Sequence, residues 1–282
     1  MSTLRNPCFA SWNVRGLGWA EKRRAVKRLI SKAKASLLFI QETKLENHKL
    51  WLLRRLWPGR SGGLEASPAE GSSGGLVTLW DSKVFEVESS NIQSRFILVT
   101  GTIKAMKFKC GFLNIYAPNS DADRKIFFEQ ISGILSNVSY PVMVAGDFNT
   151  VLSKEEKFGG CPSSNGMRAF AEFINSNRLV NIPMVGGIYT WARGNPISAA
   201  SRIDRFLLHP DFVTAFPLLT QSLLPRSLSD HCPVVLKLGV SRGGRRPFKI
   251  FSHWMDNSDF SKMINKTIED KEARELTVYC LH

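Results

Sequence analysis

No apolar run in this sequence approaches the roughly 20 residues that a membrane-spanning helix needs. The first fifteen residues also lack the basic start and long apolar stretch of a signal peptide. Together these absences predict a protein made and kept inside the cell, nuclear or cytoplasmic, with no membrane partner. Paired cysteines are missing too. Cys8, Cys110, Cys161, Cys232 and Cys280 are scattered without any C-x-x-C spacing, which argues against a structural zinc site and a disulfide framework and for free thiols in a reducing compartment. Acidic residues are scarce in one place only: residues 1–60 hold 14 Lys/Arg against 3 Asp/Glu, whereas residues 61–240 hold 16 against 15. The net charge of +14 therefore comes mostly from the N-terminal part, as expected for a polyanion-binding surface, although ribosomal or chromatin association would give the same bias.

What is present is organised around residues 141–149, Pro-Val-Met-Val-Ala-Gly-Asp-Phe-Asn. The small and apolar residues suit a strand buried on both faces, and Gly146 suits a tight turn at its end. Asp147 and Asn149 follow, where ligands gather in open α/β folds. Read alone, the stretch is equally a strand with an ordinary Asp/Asn turn.

Other strand ends repeat the pattern. Residues 9–14 read as a first strand carrying Asn13 at its end, followed by a turn from Arg15 and a helix over 20–35 with a basic face. That face is by default merely solvated, and a nuclear-import signal is its weaker reading. Residues 37–40 form a second strand running into Glu42. A short helix is expected over 48–57, a Gly/Ser/Pro-rich surface loop over 58–75, and a run of strands over 75–80, 84–88, 95–103 and 108–116. Helices follow over 121–136, with Ile126, Phe127, Ile131, Ile134 and Leu135 inward, and over 167–179. Strands over 188–191 and 202–208 are joined by a loop over 192–201, and a last strand spans 233–238. Residues 1–239 are expected to form one domain. Residues 241–246 read as a linker, and 240–282 as a tail outside the core.

Taken in order, Trp12-Asn13, Gln41-Glu42-Thr43, residues 114–119 (Asn-Ile-Tyr-Ala-Pro-Asn), Gly146-Asp147-Phe148-Asn149, Ser201-Arg202-Ile203-Asp204 and Ser229-Asp230-His231 resemble the endonuclease/exonuclease/phosphatase superfamily. The resemblance covers about residues 8–238. It is greatest to the endonuclease domains of plant LINE-type non-LTR retrotransposons, through residues 116–119, 189–191 and 201–205. It implies an α/β (α+β) fold of four layers, α/β/β/α, with two packed mixed sheets and the site at one end of them. It also implies a truncated element, since open reading frames of this type continue into a reverse transcriptase, which this chain lacks.

The activity implied is Mg2+-dependent nicking of DNA, with Mn2+ as an alternative ion, leaving a 3′-hydroxyl that primes reverse transcription. Glu42 and Asn13 are the implied metal ligands, joined by Asp230, itself also a candidate catalytic residue. Asp147 would orient or deprotonate the attacking water, and Asn149 would donate to a phosphate oxygen. His231, held protonated by Asp204, would donate to the developing pentacovalent phosphate. Tyr116 and Asn119 would order the scissile phosphate. Arg15, Thr190, Arg193 and Ser229 are the further expected DNA contacts, with residues 192–201 laid against the minor groove. A monomer is expected. The rival readings are an apurinic-site repair endonuclease, a phosphatase of small substrates, which the charge disfavours, and a non-catalytic nucleic-acid-binding remnant.

Overall fold

A computed structural model describes residues 6–239 apart from 60 and 72. The linker and tail expected beyond residue 239 lie outside the described residues. In chain order the elements are β1 (Cys8–Asn13), α1 (Ala20–Ala33), β2 (Leu37–Gln41), a 3-10 helix (Asn47–Arg55), β3 (Gly62–Glu70), β4 (Ser73–Asp81), β5 (Phe85–Ile92), β6 (Phe96–Ile103) and β7 (Phe108–Tyr116). There follow α2 (Asp121–Ser136), β8 (Val142–Asp147), β9 (Lys157–Phe158), α3 (Ser164–Ser176), β10 (Val180–Asn181) and β11 (Met184–Val185). The chain then runs through β12 (Trp191–Arg193), β13 (Ala199–Ser201), β14 (Asp204–Leu208), α4 (Pro210–Ala215), β15 (Leu218–Leu223) and β16 (Val234–Gly239).

Two mixed sheets result. One has the order β11-β15-β16-β1-β2-β4-β3 and the other β10-β14-β8-β7-β6-β5. The period of two in each strand decides what lies between them. On β1, Ala10 and Trp12 pack outward with Val26, Leu29 and Ile30 of α1, while Phe9 turns inward to meet Phe112 of β7 at 4.9 Å. On β8, Val142 and Val144 pack outward with Phe127 and Ile131 of α2 and Phe170 and Phe173 of α3. Helices therefore cover both outer faces, as the four-layer expectation required.

The inner layer changes character along its length. At one end it is aromatic, with Phe39 of β2 against Phe206 of β14 at 6.0 Å. Two residues further along the same inward rows stand Gln41 and Asp204, and likewise Asn13 on β1, Asn114 and Tyr116 on β7, and Asp147 on β8. Asn114 ties the sheets together there. Its amide donates to the Val77 carbonyl at 3.1 Å and its oxygen accepts from Gln41 Nε2 at 2.8 Å, so the polar end of the layer sits on a braced floor.

Several expectations need correction. The surface loop expected over 58–75 contains β3, paired along β4 at the sheet edge. Its glycines are there for packing: a Cβ on Gly62 or Gly63 would lie 2.6 Å from Trp57 or 2.3 Å from Trp80. In α2, Ile126 faces solvent and Arg124 and Phe128 turn inward instead. Residues 192–201 are a hairpin of β12 and β13 that joins β9 in a small third sheet, leaving β14 to the main one. Ser163 caps α3, accepting from the Gly166 N–H at 3.1 Å, so that helix starts before residue 167.

Gly146 is also needed for a different reason from the turn expected. It lies inside β8 at φ +140, where a Cβ would come within 2.1 Å of the Ile115 carbonyl oxygen. Gly146→Ala is expected to cost about 2 kcal/mol or more, read as a lower denaturant midpoint at unchanged slope.

Candidate active site

Asn13 is the hinge of the site. Its buried amide nitrogen has two hydrogens, and both are used, one on Glu42 Oε1 and one on Asp147 Oδ2, each at 2.9 Å. A carboxylate from each sheet is thereby held on one side chain. Glu42 lies just beyond β2 at φ 50 and Asn149 just beyond β8 at φ 51, left-handed conformations that turn the chain sharply at the strand ends. Arg15 and Lys44 adopt the same conformation beside them.

On one side of Asn13, cationic and anionic groups converge. Arg15 Nε lies 3.5 Å from Glu42 Oε1 and 3.2 Å from Asp230 Oδ1, and Lys44 Nζ lies 3.6 Å from Glu42 Oε2. Two carboxylates thus already share one positive charge. Burial works against ionisation of Asp230, but His231, Trp191 and Arg15 outweigh it and hold the carboxyl below its ordinary range. Trp191 Nε1 donates to Asp230 Oδ2 at 2.9 Å and fixes its plane.

On the other side stands a buried acid–imidazole pair. Asp204 is directly opposite Asp147 in the β8–β14 pairing, and its carboxylate lies 3.0 Å from His231 Nδ1. That bond leaves Nε2 facing Asp147 Oδ2 at 4.0 Å. Burial disfavours the imidazolium, yet Asp204, Asp147 and Asp230 together raise its pKa to about 9. Asp147 moves the other way from an ordinary carboxyl. Burial and the Asp204 charge push it up to about 7, against His231 and the donors Asn13 and Asn149 N–H.

The remaining expected residues divide. Tyr116 points into the same end of the layer, its hydroxyl pushed up by burial, Glu42 and Asp147, with the Arg95 guanidinium 5.7 Å from its ring. Asn149 spends one amide hydrogen on the Ala117 carbonyl at 2.7 Å and keeps its second. Asn119 and Arg193 are exposed at the rim. Thr190 and Ser229 are buried, and their reading as DNA contacts is corrected. Thr190 Oγ1 accepts the N–H groups of Ile203 and Asp204 at 3.0 Å, fixing the start of β14. Ser229 Oγ donates to the Asn13 carbonyl at 2.8 Å and accepts from His231 N at 3.1 Å, tying the histidine to β1.

Some supports were given no role in the sequence reading. Trp12 Nε1 holds the His231 carbonyl at 3.0 Å. Arg205, fully buried, forks onto Glu156, which also accepts from Leu152 N at 2.7 Å and so clamps the loop after Asp147 to β14. Arg124 holds the carbonyls of Pro118 and Asn119 at 3.0 and 2.9 Å.

Two places in this arrangement bring together groups suited to a divalent cation. Ligand atoms of Asp147, Asp204 and His231 lie within 4.8 Å of one another. Their geometry suits a proton better, because His231 Nδ1 is already committed to Asp204. The oxygens of Glu42 and Asp230, which both face Arg15, form the harder donor set and are the ones that could hold a divalent cation.

The model of the Endonuclease/Exonuclease/phosphatase family matches residues 10–231. A Xenopus laevis relative, "Transposon TX1 uncharacterized 149 kDa protein", is 24% identical over 251 residues, covering 82% of this chain. The chain spans only 18% of that protein's length. Among solved structures, the AP endonuclease LMAP from Leishmania major superposes with a TM-score of 0.69 at 16% identity, covering 84% of this chain and 89% of that one. The endonuclease domain of TRAS1, a telomere-specific non-LTR retrotransposon, gives 0.62 at 15% identity, covering 84% of this chain and all of that domain. Among the described residues no helix is long and apolar enough to cross a membrane.

Proposed function

The chain belongs to the endonuclease/exonuclease/phosphatase family, and from that membership we propose that it is a Mg2+-dependent endonuclease that nicks duplex DNA and leaves a 3′-hydroxyl. The observation that carries this reading is the double bridge of Asn13 to Glu42 and Asp147, with the Asp204–His231 pair on the far side of Asp147. One end of that line gathers hard oxygen donors and the other a protonated imidazole. Both are needed at a phosphodiester, where charge builds up on the non-bridging oxygens and on the leaving group.

Glu42 and Asp230 would hold the ion, with the free lone pair of Asn13 Oδ1 as a third oxygen. When bound, Mg2+ neutralises charge on the phosphate and the leaving oxygen. Asp147 would accept a hydrogen bond from water, aim the water's lone pair at phosphorus and take its proton as the new P–O bond forms; the P–O3′ bond breaks and the departing 3′-oxygen takes a proton from solvent. His231 Nε2–H donates to the pentacovalent oxygen while Asp204 keeps Nδ1 protonated. The second amide hydrogen of Asn149 and the Tyr116 hydroxyl hold the same phosphate. Arg15, Asn119 and the exposed Arg193 on the β12–β13 hairpin supply backbone contacts, which set position rather than sequence.

A relative named as a transposon protein and a structural neighbour named as the endonuclease domain of a non-LTR retrotransposon support a place in target-primed reverse transcription. Conversion of supercoiled plasmid to open circles tests the reading. Nicking should require Mg2+ and stop in EDTA, and Glu42→Gln should raise the Mg2+ concentration for half-maximal rate by roughly tenfold or more, the scale of a lost charged ligand. Equal rates with and without Mg2+ would sink it. Cleavage confined to abasic duplex would transfer the assignment to repair.

A further inference from the structure

We propose that the groove between α1 and the 3-10 helix Asn47–Arg55 binds an unpaired stretch of the DNA substrate, with one base stacked on Trp51. The groove is a cavity of about 310 Å³ whose walls include Arg23, Arg24, Lys27, Trp51 and Arg55. The two helices together carry nine Lys/Arg against a single acidic residue, Glu21, which is paired with Arg24 at 2.7 Å. Arg23 is engaged by the Leu17 and Gly18 carbonyls and Arg24 by Glu21, which leaves Lys27 and Arg55 as the lining cations turned to a ligand.

The aromatic group decides what kind of anion fits. Trp51 is 57% exposed although its neighbour Leu53 is fully buried, and the Arg55 guanidinium lies 5.9 Å from its ring centre. The Arg55 guanidinium lies over one face of this exposed indole, so a base would stack on the other face, with a cationic partner for its phosphate close by. Duplex bases are stacked on one another and have no face to offer it, whereas an unpaired base does.

Continuity with the catalytic end selects DNA. Ala20 lines the groove, and five residues earlier Arg15 touches both Glu42 and Asp230. Lys22, the next turn of chain, fixes that approach by donating to the Val14 and Arg15 carbonyls at 2.7 Å. A strand unpaired beside the cut thus has a basic path into the groove. The inference deepens the nicking reading but is tested apart from it, since binding in EDTA involves no cleavage.

The test is fluorescence anisotropy of the full chain in EDTA with labelled oligo-dT, a blunt duplex and an RNA strand of equal length. Trp51→Ala should weaken single-stranded DNA binding roughly tenfold, the scale of one base–aromatic stack, and duplex binding less than twofold. Trp51→Phe should restore most of the loss. Lys27→Glu with Arg55→Glu should lower single-strand affinity further and flatten its salt dependence. Unchanged single-strand affinity in Trp51→Ala, or equal losses on single strand and duplex, would overturn the proposal. Tighter Trp51-dependent binding of RNA would overturn the assignment to DNA. If Trp51-dependent binding holds while the parent never nicks with Mg2+, the groove stands and the catalytic reading falls.

Discussion

Asp147→Ala is expected to lower plasmid nicking by roughly 10²- to 10⁴-fold, the usual contribution of a positioned general base. The loss should lie in turnover, because Asp147 meets water and not the DNA backbone. The parent's pH profile carries the same information. With Asp147 pushed up to about 7 by burial and by Asp204, its carboxyl is protonated in mildly acidic solution and cannot accept the proton. The rate should therefore climb about tenfold per pH unit up to about 7 and then level. Raising Mg2+ should move that limb to lower pH, since a cation beside Glu42 favours the ionised form. An acid limb that survives in Asp147→Ala would assign it to another group.

Asp204→Asn is the second large effect. Of the three carboxylates that hold His231 as imidazolium against burial, Asp204, 3.0 Å away, contributes most. Without that charge the ring gives up its proton at lower pH than in the parent. Nicking at pH 8 should fall by roughly 10²- to 10³-fold, the cost of one preorganised donor. In the parent the alkaline limb should sit at about 9. In Asp204→Asn it should move down, and the acid limb should move down with it, because Asp204 is also one of the causes that raise Asp147. A residue that merely supported the fold would lower the amplitude and leave both limbs in place.

The same shifts set the metal-free protein's stability against pH. His231 has a raised folded pKa, so its stabilising contribution is complete below its ordinary 6.5 and is lost as pH rises through about 9. Asp147 has a raised folded pKa as well. It binds a proton more tightly when folded, so stability is lost between its ordinary 3.8 and about 7. Both contributions run the same way. Thermal unfolding in EDTA should occur at progressively lower temperature from about pH 4 to about pH 9, and added Mg2+ should recover more of it at the alkaline end.

Residues that end strands were legible in sequence because a polar group after an apolar run stands out. Asn13, Glu42 and Asp147 are of this kind, and they meet Asp204, which opens β14, at one end of the inter-sheet layer. The hydroxyls of Thr190 and Ser229 misled because a short side chain beside a reactive one can face solvent or backbone, and only packing chooses. Arg205 and Glu156, 49 positions apart, had no pattern to connect them. Strand β3 was hidden because glycine and proline usually mark loops, and its glycines answer to the side chains of Trp57 and Trp80, whose approach is set by packing. Helix α1 was read correctly on its buried side, Val26, Leu29 and Ile30, while its basic side gave no hint of the groove shared with Trp51.

Strand β16 lies between β15 and β1 in the middle of its sheet, and β1 carries Asn13. His231, on which the chemistry turns, precedes β16 by only three residues. A nascent chain therefore holds no competent nuclease until its last core strand has been made and inserted. At about 5–20 residues per second, the stretch from Asp147 to the end of β16 takes roughly 5–20 s, during which Asp147 and Glu42 are already synthesised but not yet assembled into a site. The order of the strands is a safety catch. A chain that ends before β16 leaves β1 without its neighbour and the site unassembled.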